Sequence, residues 1–158
     1  MDKVAILKLA IRRAALLFAA LATGGLMVNW VGLARAMTRL SASTYTEVHQ
    51  ATNETFDPYM PIVVSGALIS GVALAAISGI HSWAGRLAMV GVGCYAAVLA
   101  ITLPTNVRIN KLIATWSIQV PPANWAAVRA RWIRFHILRT LIAVAALISY
   151  LLSVVRMR

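Results

Sequence analysis

Apolar residues dominate four stretches of the chain, about 14–36, 59–80, 84–103 and 133–155. Each approaches or exceeds the roughly 20 apolar residues that one membrane crossing needs. Polar residues gather in two long passages, 38–57 and 104–132, while only a tight turn, His81-Ser82-Trp83, parts the second apolar stretch from the third. Four crossings place both termini on one side and the first and third connections together on the other. The pattern predicts an all-α protein: a single integral membrane domain over 1–158, folded as a transmembrane four-helix bundle, with polar loops one and three capping one end.

Helical spacing adds direction. Trp125, Arg129, Trp132, His136 and Arg139 recur in alternating steps of four and three, so they share one helix face. Farther along, the same face carries Ala143, Ala146, Tyr150 and Ser153, while Leu, Ile and Val take the opposite side. In membrane helices small residues mark the side that meets other helices. Arg129, His136 and Arg139 are therefore expected to point inward at the mouth of the bundle. On the first stretch Ala22, Gly25, Asn29, Gly32 and Ala36 share a face, and the Asn29 amide is expected to turn away from lipid. Ala67, Gly71, Ala75 and Gly79 form a third small-residue stripe.

Loop one carries its own start signal. Thr44 with Glu47 reads as a capping box for a short helix bearing Tyr45, His49, Gln50 and Asn53. Asp57-Pro58 then reads as the cap and first turn of the second crossing. In loop three, a short surface helix is expected over Asn106–Trp116. Pro121 and Pro122 end it, and the last helix opens at Pro122 or Asn124.

Composition narrows the class. The 158 residues are 61% hydrophobic and only 12% charged, with mean hydropathy +0.80, far from the balance of a soluble domain. The net charge of +11 belongs to loops and to the anionic lipid surface rather than to a nucleic-acid module, so no nucleic-acid partner is expected. With inward-facing arginines set aside, the cluster Lys3, Lys8, Arg12 and Arg13 places both termini in the cytoplasm, across a plasma or inner membrane. Ala34-Arg35-Ala36 imitates a cleavage site, but the apolar stretch before it exceeds the roughly 7–15 residues of a secretory signal, so it is read as a retained span. The single Cys94 allows no internal disulfide and reads as a packing residue.

Chemistry concentrates where the two polar loops meet. One brings His49, Glu47, Glu54 and Asp57; the other brings Arg108, Arg129, Arg131, Arg139 and His136. Much of this charge can serve as structural ion pairs. An ionisable residue inside a crossing, such as His136, is by default a functional candidate: a general base, a metal ligand or a haem ligand. The chain lacks a Glu-x-x-His motif and a histidine pair at i, i+4, so a metal or haem would have to be held by His49 and His136 across the loops. No phosphate-binding loop, Ser-His-Asp order or redox cysteine pair occurs.

The run Thr44-Tyr45-Thr46-Glu47-Val48-His49-Gln50-Ala51-Thr52-Asn53-Glu54-Thr55-Phe56-Asp57-Pro58 resembles the anthrone oxygenase family of small four-span membrane proteins. So do Pro104-Thr105-Asn106-Val107-Arg108-Ile109-Asn110, then Trp116 and Trp125, and Arg131-Trp132-Ile133-Arg134-Phe135-His136-Ile137-Leu138-Arg139. The resemblance implies oxidation of a hydrophobic aromatic substrate with O2, since fungal members convert anthrones to anthraquinones. Such chemistry needs no cofactor: a base removes a proton from an acidic methylene, and a cation steadies the oxyanion. His136 or His49 is the candidate base, Arg131 or Arg139 the cation, with Glu47 beside them. Asn29, Asn53, Asn106 and Asn110 are candidates to orient the substrate, with Tyr45, Trp125 and Trp132 as walls. Two other readings stand beside this one: a metal- or haem-binding membrane protein using His49 and His136, and a non-enzymatic membrane subunit or lipid-binding scaffold. The expected partners are a small hydrophobic substrate and the lipid bilayer, with homo-oligomerisation left open.

Overall fold

A computed structural model of the chain describes residues 2–156, and every described regular element is helical. Helix α1 (Lys3–Val28) begins at Asp2, whose carboxylate accepts the Val4 N–H at 3.3 Å. It runs without a break into a π-helical segment, Asn29–Ala34, and a closing turn, α2 (Arg35–Met37). Helix α3 (Ala42–Ser78) follows. Gly79 leaves it at φ 78°, a left-handed conformation that suits glycine, and the turn reverses the chain. Ser82 caps α4 (Trp83–Thr102) by accepting the Gly85 N–H at 3.0 Å. The short α5 (Asn106–Ala114) and the long α6 (Trp125–Val155) complete the chain, and Pro121 and Pro122 lie in the connection between them.

Two expectations for loop one are corrected. The helix start is Ser41, whose hydroxyl accepts the Thr44 N–H, one turn before the anticipated capping box. Nor does a new helix begin at Asp57: α3 is continuous through Pro58 and Pro61. The two prolines forfeit the bonds to the carbonyls of Glu54 and Asp57. Both of those residues are exposed, so neither carbonyl is stranded in the core. At 1.5 Å per residue, the 37 residues of α3 span about 55 Å, well beyond a hydrocarbon layer of about 30 Å. Helix α3 is thus longer than one crossing requires.

Three stretches are long and apolar enough to cross a membrane: Ala42–Ser78, Trp83–Ala114 and Trp125–Val155. Helix α1 packs on α3 and α6, and α4 packs on the same two helices from the other side of the sequence. Small residues allow the approach: Ala15, Ala19, Ala22, Ala67, Ala88, Ala143 and Ala146 are fully buried. Hydroxyls stitch the helices where backbone carbonyls would otherwise face apolar surroundings. Tyr95 Oη donates to the Ala19 carbonyl at 3.0 Å, Tyr150 Oη to that of Ala67 at 3.1 Å, and Ser153 Oγ to that of Ala84 at 2.8 Å. A second cluster, Ala34, Met37, Tyr45, Ile109, Ile113 and Trp132, joins the end of α1–α2 to the start of α3, α5 and α6.

The Tyr150 ring fixes the fit of three helices, because a Cβ added at Gly71 or at Gly91 would overlap it. Gly71→Ala and Gly91→Ala should each lower stability by about 1–3 kcal/mol, the usual cost of overpacking a filled core. Gly93→Ala, which meets open space, should not. Thermal unfolding in detergent separates the cases, and equal melting of all three variants would contradict the packing.

Candidate functional site

A cavity of about 330 Å³ opens between α1, α3, α4, α5 and α6. Its walls are mostly apolar, with Leu26, Phe56, Met60, Val64, Val98 and Leu99 among them. Its polar lining is a selected set: Asn29, His49, Asn53, Asp57, Asn106, Asn110, Trp132, His136 and Arg139 all reach it. The volume lies at the lower end of the range for small-molecule sites, about 300–1,000 Å³.

Groups of fixed character assign the role of nearly every atom. Indole can only donate, so Trp132 Nε1, 2.7 Å from Asn110, must meet the amide oxygen. That oxygen also lies 3.2 Å from His49 Nε2, which must therefore carry a hydrogen and donate it. The amide nitrogen of Asn110 then donates to Asn53 Oδ1, and Asn53 Nδ2 donates to the Asp57 carboxylate at 3.2 Å. The chain is directional from the indole to the carboxylate. It leaves one atom over: His49 Nδ1, buried and without a hydrogen-bond partner. His49 as a whole is only 3% exposed.

The same reasoning settles His136. A backbone carbonyl only accepts, so His136 Nε2 donates to Leu26 at 3.1 Å. Its Nδ1 is then the acceptor, and the Arg139 guanidinium fills it with Nε at 3.3 Å and Nη2 at 2.9 Å. Arg139 Nη1 donates to Thr102 Oγ1 at 3.2 Å. The partners of this cation among the described residues are thus neutral, and two of the five N–H groups of the guanidinium remain for something else. Both nitrogens of His136 are engaged, so in this arrangement neither a proton nor a metal finds a lone pair there. The two imidazoles are separated by an indole. Trp132 stacks on His136 with centroids 4.8 Å apart and an interplanar angle of 3°, and meets His49 edge-on at 5.1 Å.

Asn29 supplies a second unsatisfied acceptor. It opens the π-helical segment of α1, it is 9% exposed, and its Oδ1 has no partner. Widened turns of this kind often occur at functional sites. Asn106 is bound more tightly, its amide donating to the Trp132 carbonyl at 3.1 Å, so it holds α5 against α6 at the cavity wall.

The residues expected at the site divide into three groups. His49, His136, Arg139, Asn29, Asn53, Asn106, Asn110 and Trp132 line the one cavity. Tyr45 and Trp125 stand behind it. Tyr45 packs on His49 at 5.4 Å and on Trp125 at 5.8 Å, and Arg129 lies over the Trp125 ring at 4.5 Å while donating to the Met37 carbonyl. Glu47 and Arg131 are exposed and do not line the cavity. Each stands two residues from an inward-facing one, about 200° around the helix. The anticipated ion pairing of Asp57 with arginine is replaced by its bond from Asn53. Thr52, Phe56 and Met60 line the cavity without having been expected there, and Asp57, expected among the loop-one acids, lines it too. Their signal was helical spacing from His49; the assumed break at Asp57 hid it for Met60, whereas Thr52 and Phe56 precede that break, three and seven residues after His49. Among the described residues no group of three or more His, Cys, Asp or Glu side chains could hold a metal ion. Comparison of the chain with protein-family models, with curated proteins and with solved structures finds no match.

Asn110 is the joint of the polar chain. Asn110→Leu strands the indole N–H, His49 Nε2–H and Asn53 Oδ1 at once, each at about 1–3 kcal/mol where water is excluded. The variant should therefore lose several kcal/mol in denaturant unfolding, whereas Asn124→Ala, at a helix start whose side chain makes no capping bond, should lose little. Similar losses for the two would contradict the network.

Proposed function

We propose that the chain is a membrane-embedded oxidoreductase that oxidises a hydrophobic aromatic substrate with O2, in the manner of the anthrone oxygenases its loop sequences resemble. The proposal includes α1 as a fourth crossing, giving a transmembrane four-helix bundle whose first and third connections close one end over the cavity. One observation carries it: an apolar cavity is lined by a histidine with a free buried nitrogen and by an arginine whose described partners are all neutral. A base and a cation whose described hydrogen-bond partners are neutral, in one largely apolar pocket, suit a substrate that is neutral when it enters and anionic when it reacts.

These groups support one substrate class. It has a carbonyl whose oxygen takes the two spare N–H groups of Arg139, and a methylene flanked by aryl rings beside His49. It also bears a ring hydroxyl that donates to Asn29 Oδ1. In the first step His49 Nδ1 takes a proton from the methylene, and the electron pair left behind delocalises onto the carbonyl oxygen facing Arg139. The resulting anion passes an electron to O2, and the radical pair joins to form a carbon–oxygen bond. The imidazolium returns its proton to the peroxide. Loss of the remaining proton on that carbon then cleaves the O–O bond, leaving a new carbonyl and water. One O2 is consumed, the methylene becomes a ketone, and the four electrons it loses reduce O2 to the ketone oxygen and water.

The polar chain behind His49 has a role in this sequence. Its dipoles run toward the Asp57 carboxylate, an arrangement that stabilises an imidazolium once it forms, and it holds the ring in the Nε2–H tautomer. His136, with both nitrogens engaged, acts as a positioning residue for the Arg139 guanidinium.

His49→Gln tests the proposal without removing the donor to Asn110, because the glutamine amide can still reach that oxygen while offering no basic nitrogen. With purified protein, an anthrone and O2, turnover should fall about 100- to 10,000-fold, the usual contribution of a general base, with melting nearly unchanged. Arg139→Met should also abolish turnover, while Arg131→Gln and Glu47→Gln, being exposed, should retain it. Full activity of His49→Gln, or absence of O2 uptake by the wild-type chain with any anthrone, would sink the reading.

A further inference from the structure

A second cleft, of about 350 Å³, lies at the opposite end of the helices, and it is predominantly polar and basic. Lys8 and Arg12 stand one turn apart on α1, and Arg156 reaches in from the end of α6. Ser82 and Trp83, at the turn into α4, form the facing wall. Three cations repel one another, and the described residues that line the cleft include no Asp or Glu. A further observation points the same way: Arg12 Nε is buried and has no hydrogen-bond partner among the described residues. Trp83, 58% exposed, is placed as an aromatic anchor at the membrane surface, and Ile80 and Leu7 nearby in sequence are 55% and 60% exposed. Cations in a cleft with large apolar side chains left open beside it match an ion that arrives with acyl chains attached.

We infer that this cleft binds a phosphate group, held by Arg12, Lys8 and Arg156, and that the phosphate is supplied by the headgroup of an anionic phospholipid. The site is independent of the oxidation chemistry at the other end. Arg12 supplies the buried donor, Lys8 and Arg156 the exposed charge, and the acyl chains run down the apolar surface past Trp83.

Native mass spectrometry of the full chain in detergent, titrated with phosphatidylglycerol or phosphatidylcholine, tests this directly. The anionic lipid should bind more tightly, and Arg12→Gln and Lys8→Gln should each weaken it by about fivefold, the scale of one basic residue against an anionic headgroup. Arg12→Lys should recover part of the loss, and Arg86→Gln, on an exposed face outside the cleft, should have no effect. Inorganic phosphate, added as competitor, distinguishes the source: persistence of the lipid adduct assigns the site to the headgroup, and displacement at equal concentration assigns it to free phosphate. Thermal unfolding reports whether Arg12→Gln remains folded; if it does not, the exposed Lys8→Gln carries the test. Equal binding of the two lipids without phosphate binding, or unchanged phosphatidylglycerol binding in folded Lys8→Gln, would overturn the inference.

Discussion

The hydrogen bond from the Trp132 indole to Asn110 Oδ1 is the constraint on which the site depends. Indole has one donor and no acceptor, so this contact at 2.7 Å fixes which end of the Asn110 amide faces α6. Everything else in the polar chain follows by elimination. His49 must donate from Nε2, Asn53 must accept with its oxygen, and Asp57 must be the terminus. In water such a chain could reverse or break at small cost. Here the half-buried Asn110 sits between fixed donors and an acceptor, so a reversed amide would face donor to donor and acceptor to acceptor.

The two histidines are alike in burial and opposite in use. His136 is saturated: a carbonyl takes its hydrogen and a guanidinium takes its lone pair. His49 is saturated on one side only. A buried imidazole nitrogen without a partner among the described residues, and a buried cation with spare donors, each carry an energetic cost. Both line the one largely apolar cavity, and the proposed oxidation rests on that pairing. Positioning costs are met by the surrounding packing, since the stack of His136 on Trp132 and the bond of Asn106 to the Trp132 carbonyl hold both rings on α6.

Much of this arrangement was legible from periodicity. The face Trp132, His136, Arg139, Ala143, Ala146, Tyr150 and Ser153 needs only a count along one helix, and small residues told which way it turned. Asn29 was legible because an amide cannot face lipid. Periodicity applied consistently would also have excluded Arg131 and Glu47, which share neither face. The continuity of α3 was not legible, since Asp57-Pro58 is a strong start signal and only tertiary packing overrides it. With that break assumed, Met60 lost its register with His49. The π-helical turn at Asn29 has no sequence signature, and the orientation of the Asn110 amide depends on a contact 22 residues away.

The central claim concerns protons on two rings, so nitrogen NMR of the histidine side chains tests it most directly. In protein labelled with 15N at histidine, near neutral pH, both His49 and His136 should show the neutral tautomer protonated at Nε2. His49 Nδ1 should resonate as an unbonded lone pair, and His136 Nδ1 as one engaged by a donor. A hydrogen on His49 Nδ1, or a His136 signal unchanged by Arg139→Met, would contradict the account.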